Sequence, residues 1–414
     1  MVIQLSADAL IEYTMVAYME DFLKLIATKS NAYHAFKQAK RSGSNVVKMD
    51  YKQFNHLLVY NIEELVDDLI DGNYQTTGYH RFKVYIPKER EIHSPVFRDK
   101  VAQHMINNIL REFYERKFIY DSYACIRNKG NHAAVKRLYS FSKGAKLTYS
   151  EPTVVKIDIS KFFYTIDRMI LIEILYNDLG TINSELLHIL ATIIASSPKN
   201  HTVSNGDTHG LPLGNLTSQL FANVLMNKVD QFVKNVLRVR YYLRYADDLF
   251  FIVDGKERAK EVLYETRNFI ETELKLICNP KKTGIYPLHR GIDGLGFVTS
   301  GSGIKITKRT KESIRKLMKE INNDYSKNKI DYNFRERQLN SYKSFISVCG
   351  NSNYMDQIIT MNPITYIAKS KKNPNGTSYK IERKYDKNGR LILNHSAYLS
   401  SINIEDDFLP PLFD

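Results

Sequence analysis

The stretch YYLRYADDLFFIV, residues 241–253, decides how this chain folds. Two apolar, aromatic-rich runs flank a short turn, which predicts a buried β-hairpin. Asp247 and Asp248 lie side by side at its tip. Adjacent carboxylates repel each other, and charge beside an apolar core costs free energy unless a cation compensates it. A turn exposed only to solvent would more often contain Asn-Gly or Asp-Gly, so the pair points to a bound metal ion.

A third carboxylate follows another predicted strand. The β-branched run PTVVKIDIS, residues 152–160, contains Asp158 near its end. If this strand lies beside the hairpin, three carboxylates converge, and they cannot all stay ionised without raised pKa values or bound divalent cations. Mg²⁺ prefers carboxylate and phosphate oxygens, and two such ions can activate a 3′-hydroxyl and stabilise leaving pyrophosphate. Taken alone, the Asp pair is explained more simply as a solvated turn.

Composition narrows the class of protein. With 414 residues and 43% hydrophobic content, the chain can bury a sizeable core in more than one lobe. Its apolar runs are too short for a membrane span, and its start lacks the basic residues of a secretory signal. Cys125, Cys278 and Cys349 have neither zinc-like nor disulfide spacing. We therefore expect reduced, buried thiols in a cytoplasmic protein.

The positive charge is concentrated in one region. The net charge is +14, and residues 305–343 hold 12 Lys or Arg against 5 Asp or Glu. Within 311–324 an apolar stripe has helical spacing, with cations beside it. The stripe consists of Ile314, Leu317, Met318 and Ile321. This segment is either an ordinary amphipathic surface helix or a lobe that follows a phosphate backbone, and the density of cations favours the second.

Periodicity predicts most of the remaining elements. Helices are expected at 6–28, 53–72, 98–116, 131–140, 217–237 and 256–276, and from Phe162 onward, with a Gly/Pro turn, GLPLGN, at 210–215. Residues 29–50 are expected to form a polar connection, with two short strands around 88–91 and a hairpin near 294–306.

Five motifs occur in order along the chain. They are DISKFF at 158–163, GLPLGNLTSQ at 210–219, YADD at 245–248, NPKKT at 279–283 and LGF at 295–297. Together they resemble a bacterial reverse transcriptase of the group II intron-like lineage, over roughly residues 75–350. Within that lineage the resemblance is closest to the enzymes of diversity-generating retroelements and to defence-associated, abortive-infection enzymes.

This resemblance implies an α+β, right-hand polymerase fold with an antiparallel palm sheet and a helical thumb. The expected regions are an N-terminal helical extension at 1–49, fingers at 50–155, a palm at 156–304 with a finger insertion near 170–209, a thumb at 305–360, and a C-terminal extension at 361–414. Asn388-Gly389 in that extension predicts a β-hairpin.

The resemblance also implies roles for single residues. Asp158 and Asp247 would be the catalytic metal ligands, with Asp248 as a supporting member of the same set and the backbone carbonyl of Ile159 as a further ligand. Phe163 matches the family's steric gate, a ring that leaves no room for a 2′-hydroxyl. From the residues alone, a core aromatic is the simpler interpretation of Phe163.

Further contacts are implied for two sets of residues. Those expected to bind the nucleotide are Phe163, Lys88, Arg90, Leu213, Gly214, Gln219 and Lys282. Those expected to bind nucleic acid are Arg98, Arg127, Lys308, Arg315, Lys316 and Lys319. Each single cation is explained equally well as a surface charge. Many relatives have Gln in place of Leu213 and Pro in place of Gln219, and the variant present here resembles the diversity-generating branch, which is associated with reduced fidelity.

The leading hypothesis is an RNA-directed DNA polymerase, a nucleotidyltransferase that makes cDNA with two Mg²⁺ ions, for which Mn²⁺ can substitute. Expected partners are an RNA template, in particular a cognate non-coding RNA, a DNA primer and product, dNTPs, and an accessory protein or a second copy, with no membrane. Antiphage defence and a diversity-generating retroelement are nearly balanced as the biological role, and the C-terminal extension slightly favours defence. Untemplated or protein-primed DNA synthesis and an inactive RNA-binding scaffold are the alternatives.

Overall fold

A computed structural model of the chain describes six long stretches and five short strands further along. These are residues 22–41, 48–84, 89–180, 184–196, 208–327 and 329–350, and strands between 365 and 392. The described chain divides into two compact units. The first comprises Met1–Leu295 and Thr299–Gly303, and the second comprises Gly296–Val298 and Ile304–Asp414.

The first unit combines many helices with a few short strands. Its α-helices are α1 (Phe22–Ile26), α2 (Lys29–Arg41), α3 (Lys48–His56), α4 (Leu58–Ile70), α5 (Phe97–Lys117), α6 (Asn131–Thr148), α7 (Phe162–Thr165), α8 (Arg168–Leu179), α9 (Ser184–Ala195), α10 (Leu216–Gln231) and α11 (Lys256–Thr272). Its strands are β1 (Tyr79–Val84), β2 (Arg90–Pro95), β3 (Pro152–Asp158), β4 (Tyr241–Tyr245), β5 (Asp248–Asp254), β6 (Gly284–Pro287) and β7 (Ile292–Gly294). Among the described helices of the chain, none is long and apolar enough to cross a membrane.

An antiparallel four-stranded sheet organises this unit, in the order β4-β5-β3-β6. Both of its faces are covered by apolar side chains. Tyr242 and Phe251 belong to the larger hydrophobic core, whereas Leu243 and Phe250 belong to a smaller core on alternate positions of the same strands. Because both faces are buried, the strands are continuously apolar instead of alternating, as 241–253 predicts. The predicted hairpin is confirmed.

A second antiparallel hairpin, β1 with β2, pairs Tyr79 with Pro95 and Val84 with Arg90. It agrees with the two strands expected around 88–91. The backbone N–H of His93 in β2 donates to the carbonyl of Leu213 at 2.7 Å. This bond ties the hairpin to the GLPLGN segment that precedes α10.

The prediction of a polar connection at 29–50 is wrong for the part that forms α2. This helix buries a narrow stripe of small side chains at helical spacing. The stripe consists of Ala32, Ala35, Phe36 and Ala39. Small alanines among Lys and Gln give a weak apolar signal, and packing against α5 stabilises the helix in the folded chain.

Two predicted helices are interrupted. The pattern at 53–72 forms α3 and α4, which are separated at Leu57. The pattern beyond Phe162 divides at Asp167, whose carboxylate caps α8 by accepting from the backbone N–H groups of Met169 and Ile170. Asp is a preferred N-cap residue, so this break has a local cause in the sequence.

The second unit contains two helices, α12 (Lys308–Ser326) and α13 (Tyr332–Ile346), N-capped by Thr307 and Asp331. The predicted apolar stripe of α12 is confirmed, since Ile314, Met318 and Ile321 are buried. The remaining strands are β8 (Phe297–Ser300), β9 (Gly303–Ile306), β10 (Thr365–Ile367), β11 (Lys371–Lys372), β12 (Ser378–Tyr379), β13 (Glu382–Tyr385) and β14 (Leu391–Ile392). Strands β13 and β14 pair antiparallel on either side of residues 388–389, which confirms the hairpin expected there.

Candidate active site

Asp158 and Asp248 lie directly opposite each other in the central sheet. They are register partners at one end of the antiparallel pair of β3 and β5. Side chains that are directly opposite in such a pair project from the same face and interact. Asp158 is buried, with 3% of its surface exposed, and Asp248 is half-buried. The expected pairing of two distant strands is confirmed, and it brings these carboxylates together.

Asp247 lies in the tight turn between β4 and β5. The preceding residue, Ala246, has a left-handed φ of 52°, which orients the turn. Burial raises the pKa of Asp247, and repulsion from the Asp158 carboxylate raises it further. Lys282 and Arg90 oppose this rise, so both cations lie within electrostatic range of the turn.

The neighbouring Asp248 is more strongly affected. Burial raises its pKa to about 6, the charges of Asp247 and Asp158 also raise it, and the ammonium of Lys156 opposes them. Asp247 and Asp248 are thus partly desolvated and lie within electrostatic range of Asp158, so their ionised forms are disfavoured.

The NPKKT segment closes one side of this volume. Its Asn279 donates from Nδ2 to Oδ1 of Asp158 at 2.9 Å, and from its backbone N–H to the Asp158 carbonyl at 2.7 Å. Nζ of Lys282 lies 2.5 Å from Oδ2 of Asp158. Both oxygens of the buried carboxylate thus have fixed partners, and Lys282 supplies a positive charge beside it.

The residues present fit a divalent cation in their chemistry. The three carboxylates provide oxygen ligands, and a shared cation would relieve both the burial and the repulsion that raise the pKa values of Asp247 and Asp248. No three His, Cys, Asp or Glu side chains within the described ranges are gathered as a metal-binding cluster. Ile159 directly follows Asp158 and forms an isolated bridge with Cys278, and the role of its carbonyl stays a prediction.

The neighbouring rings of Phe162 and Phe163 differ in how deeply they are buried. Phe162 is part of the hydrophobic core at 4% exposure, whereas Phe163 is half-buried and packs edge-on against it at 5.4 Å between ring centroids. The carbonyl of Phe163 accepts from the N–H of Leu211 at 2.7 Å. Phe163 is itself packed against the hydrophobic core from its half-buried position, so the core interpretation fits both rings, and the steric-gate role of Phe163 stays a prediction.

The GLPLGN segment approaches the β1–β2 hairpin very closely. Gly214 has φ 132°, and a Cβ on it would lie 2.3 Å from the carbonyl oxygen of His93. Glycine is required at position 214 because the backbone carbonyl of His93 leaves no room for a side chain. The contact of Gly214 with a nucleotide stays a prediction. Leu213 is half-buried, and the exposed Gln219 lines a small cavity of about 60 Å³ together with Cys125. Cys125 is itself exposed, so the expectation of a buried thiol is wrong for Cys125 and confirmed for Cys278.

The cations predicted in the fingers differ in their surroundings. Arg90 is exposed, and its charge reaches Asp247. Lys88 lies outside the described residues. Arg127 is exposed in a turn. These assignments stay predictions.

Arg98 is already bound within the protein. Its guanidinium forms an ion pair with Asp68 and lies 5.4 Å from the ring centroid of Tyr74, and it also donates to the carbonyl of Gln75 at 3.4 Å. A nucleic-acid contact by Arg98 would compete with these partners. The structure gives it a role in holding α4 to the start of α5.

The cations predicted in the second unit lie on one helix. All four are exposed on α12, away from its buried stripe. They are Lys308, Arg315, Lys316 and Lys319. Because Lys308, Arg315 and Lys319 are spaced by seven and four residues, they form one basic line along the helix.

Sequence reasoning missed three residues around the carboxylates. Asn279 is the first residue of the NPKKT motif, in which the sequence predicts a role only for Lys282. Lys156 lies two residues before Asp158 in β3. Arg244 lies within the opening stretch itself. A cation inside a run of buried strand residues is the signal that could have singled out Arg244.

Comparison with known proteins defines the class. The profile of the family described as reverse transcriptase (RNA-dependent DNA polymerase) matches residues 86–299, slightly more than half of the chain. The chain therefore belongs to this family, which confirms the expected enzyme class, an RNA-directed DNA polymerase, and with it the α+β, right-hand polymerase fold. Divalent metal ions are the general cofactors of the family.

Individual relatives support the group II intron-like lineage. The chain is 25% identical to protein YkfC of Escherichia coli over 279 residues, which are 58% of this chain and 71% of that protein. It is 28% identical to the group II intron-encoded protein LtrA of Lactococcus lactis over 42% of this chain and 28% of that protein. It is 21% identical to the putative COX1/OXI3 intron 2 protein of Saccharomyces cerevisiae over 70% of this chain and 39% of that protein. The chain thus spans well under half of the two intron proteins.

Among solved structures, the chain is similar to apo telomerase from Candida tropicalis truncated from its C-terminal domain, with a TM-score of 0.41 and 12% identity over 60% of each chain. Telomerase from Candida albicans, in a complex with a TWJ fragment of telomeric RNA, gives a TM-score of 0.41 and 11% identity over 70% of this chain and 64% of that one.

Proposed function

We propose that this chain extends a 3′-hydroxyl with deoxynucleoside triphosphates on an RNA template, with two divalent cations held by Asp158, Asp247 and Asp248. Mg²⁺ is the proposed cation, and Mn²⁺ is expected to substitute. The observation that carries the proposal is the register of Asp158 opposite Asp248, with Asp247 close enough for the charge of Asp158 to raise its pKa. Membership of the reverse transcriptase family supports the same reaction.

The roles of the residues follow from their surroundings. When bound, the cations would polarise the attacking hydroxyl and offset the charge of the leaving pyrophosphate. Asp158 is held in place by Asn279, so its carboxylate is oriented before a substrate arrives. Lys282 lies beside the same carboxylate, where its ammonium could donate a proton to the leaving pyrophosphate.

The selection of the sugar is proposed to depend on Phe163. Its half-buried side chain packs edge-on against the buried Phe162 and against the hydrophobic core. A ring supported in this way would crowd a 2′-hydroxyl, which favours deoxynucleotides over ribonucleotides.

Primer extension on an RNA template tests the reaction. Asp247→Asn should reduce extension by more than about 1,000-fold, equivalent to about 4 kcal/mol of transition-state stabilisation, while RNA affinity stays near that of the parent. Asp254→Asn is a matched control, because Asp254 is an exposed carboxylate at the opposite end of β5. Extension by Asp247→Asn at the parental rate would rule out the proposed site.

The biological role is proposed to be cDNA synthesis on a cognate non-coding RNA in an antiphage defence system. Support comes from the basic line on α12, which suits a structured polyanion, and from the C-terminal extension. Sequencing the RNA that copurifies with the chain from its host, together with the genes beside its own, tests this role. A variable repeat next to the gene would instead favour a diversity-generating retroelement.

Two alternative functions predict different experimental results. Protein-primed or untemplated synthesis would leave DNA covalently attached to the purified chain, and nuclease treatment followed by mass measurement would detect it. An inactive RNA-binding scaffold would show no extension by the parent and no change in melting temperature with Mg²⁺ or Mn²⁺.

A further inference from the structure

Arg244, the last but one residue of β4, is completely buried together with its partner Asp230 on α10. Nε and Nη2 of the guanidinium donate to the Asp230 carboxylate at 2.8–2.9 Å. Tyr242 adds a third donor to the same carboxylate, from its hydroxyl at 2.7 Å. The charge pair is therefore fully desolvated and fully hydrogen-bonded.

A buried ion pair of this kind is a weak source of stability, because desolvating two charges offsets most of their attraction. The geometry of the remaining nitrogen indicates what the pair provides instead. Nη1 of Arg244 donates to the backbone carbonyl of Ala246 at 3.2 Å and to Oδ1 of Asn223 at 2.9 Å. Arg244 thus reaches the residue that immediately precedes Asp247.

That residue has an unusual backbone conformation. Ala246 has φ 52°, in the left-handed region that residues other than glycine, Asn or Asp seldom adopt. Such a conformation costs free energy and persists only where the surroundings enforce it. The hydrogen bond from Arg244 fixes the carbonyl of the peptide that joins Ala246 to Asp247, and so fixes the direction in which the Asp247 side chain leaves the backbone.

The Arg244 cluster, which consists of Arg244, Asp230 and Asn223, also binds the segment that leads to Arg127. Asn223 donates from Nδ2 to the carbonyl of Ala124 at 2.9 Å. The backbone of Arg244 pairs with that segment as well, donating to the Asp121 carbonyl and accepting from the N–H of Tyr123, each at 3.0 Å. Arg244 therefore contacts α10 and the turn that carries Asp247 through its side chain, and the 121–124 segment through its backbone.

We propose that Arg244 is a positioning residue, which uses its Nη1 contacts to Ala246 and Asn223 to hold the turn so that Asp247 is oriented for a divalent cation. This inference rests on the proposed function, since it assigns the purpose of the orientation to the cation and the reaction. It also implies that a disturbance at Asn223 reaches the carboxylate turn, although Asn223 touches none of the three carboxylates in the hydrogen bonds described.

The test compares Arg244→Lys with Tyr242→Phe. A lysine at 244 can keep the ion pair with Asp230, but its single nitrogen cannot also reach both Ala246 and Asn223. Tyr242→Phe removes a different buried hydrogen bond from the same Asp230 and leaves the turn contacts of Arg244 intact. Both variants lose stability, so the melting temperature alone does not separate them.

Two readouts do separate them. Mutation of a residue that supports a metal ligand typically lowers metal affinity or activity by about 10–100-fold. Arg244→Lys should therefore lower kcat by about 10–100-fold, with little change in the KM for dNTP. The Mg²⁺ or Mn²⁺ concentration that gives half of the thermal shift should rise by about 10-fold or more. Tyr242→Phe should keep the parental kcat and half-saturation.

Folded Arg244→Lys with parental kcat and parental cation half-saturation would overturn the inference. If Arg244→Lys does not fold, Asn223→Leu replaces it under the same criterion, since this change removes an acceptor of Nη1 and keeps the Asp230 pair. Failure of the proposed function has a different signature: the parent itself would neither extend a primer nor respond to the cations.

Discussion

Replacing Asp248 by Asn should stabilise the cation-free protein at neutral pH, although it is expected to damage catalysis. Burial raises the pKa of Asp248 from its ordinary 3.8 to about 6, with further contributions from Asp247 and Asp158. A carboxyl group with a higher pKa in the folded state binds its proton more tightly there than in the unfolded chain. Ionising it above pH 6 therefore costs folding free energy.

The expected size follows from the two pKa values. As the pH rises from about 4, folding stability falls, and the loss approaches its full value above pH 6. An interval of roughly two pH units corresponds to about 3 kcal/mol. Asn is nearly isosteric and carries no charge at any pH, so Asp248→Asn avoids this loss. At pH 5, where Asp248 is mostly protonated in the folded protein, the advantage should be roughly half as large.

The assay is thermal and urea unfolding in EDTA at pH 7.5 and at pH 5, repeated with saturating Mg²⁺. Because the proposed cation would bind only the folded site, Mg²⁺ should stabilise the parent more than the variant and reduce the difference in their free energies of unfolding. Asp254→Asn provides the control on the same strand. Its carboxylate is exposed, and the hydrogen bond from the Glu151 N–H holds the pKa of Asp254 below its usual range, so its loss should give no stabilisation. An Asp248→Asn variant no more stable than the parent in EDTA at pH 7.5 would refute the reasoning.

Three further substitutions examine the surroundings of the carboxylates. Gly214→Ala should lower stability by at least about 1–3 kcal/mol in urea unfolding, because its Cβ would collide with the His93 carbonyl and its φ is strained, and an unchanged midpoint would contradict this. Phe163→Ala should reduce discrimination against ribonucleotides by roughly 10–100-fold in single-nucleotide extension. Equal discrimination by the parent and the variant would contradict the steric-gate role of Phe163. Leu213→Gln should lower the misincorporation rate on one RNA template, since a polar group beside the base pair restores discrimination, and equal error rates would dismiss the low-fidelity hypothesis.

The central sheet could be predicted because its signals are local. The apolar runs on each side of Asp247 and the β-branched run before Asp158 identify strands whose partners were inferred from the charges they carry. The structure pairs these strands in the register that this inference requires. The prediction for the segment that forms α2 was wrong for the opposite reason. The buried face of this helix consists mostly of alanines, so its apolar pattern is weak until the packing of α5 against it is known.

The Arg244 cluster shows where local patterns stop being informative. Asn223 and Asp230 are seven residues apart and therefore lie on one face of α10, which is otherwise rich in buried apolar residues. Two polar groups on such a face require partners, and Arg244 in a buried strand requires a counter-charge. The sequence states each requirement, but only the packing of α10 against β4 shows that they satisfy one another. Once paired, the Arg244 guanidinium has a nitrogen left over for Ala246. The buried Arg244 side chain thereby also holds the backbone beside Asp247, which an apolar side chain of similar size, having no hydrogen-bond donor, could not do.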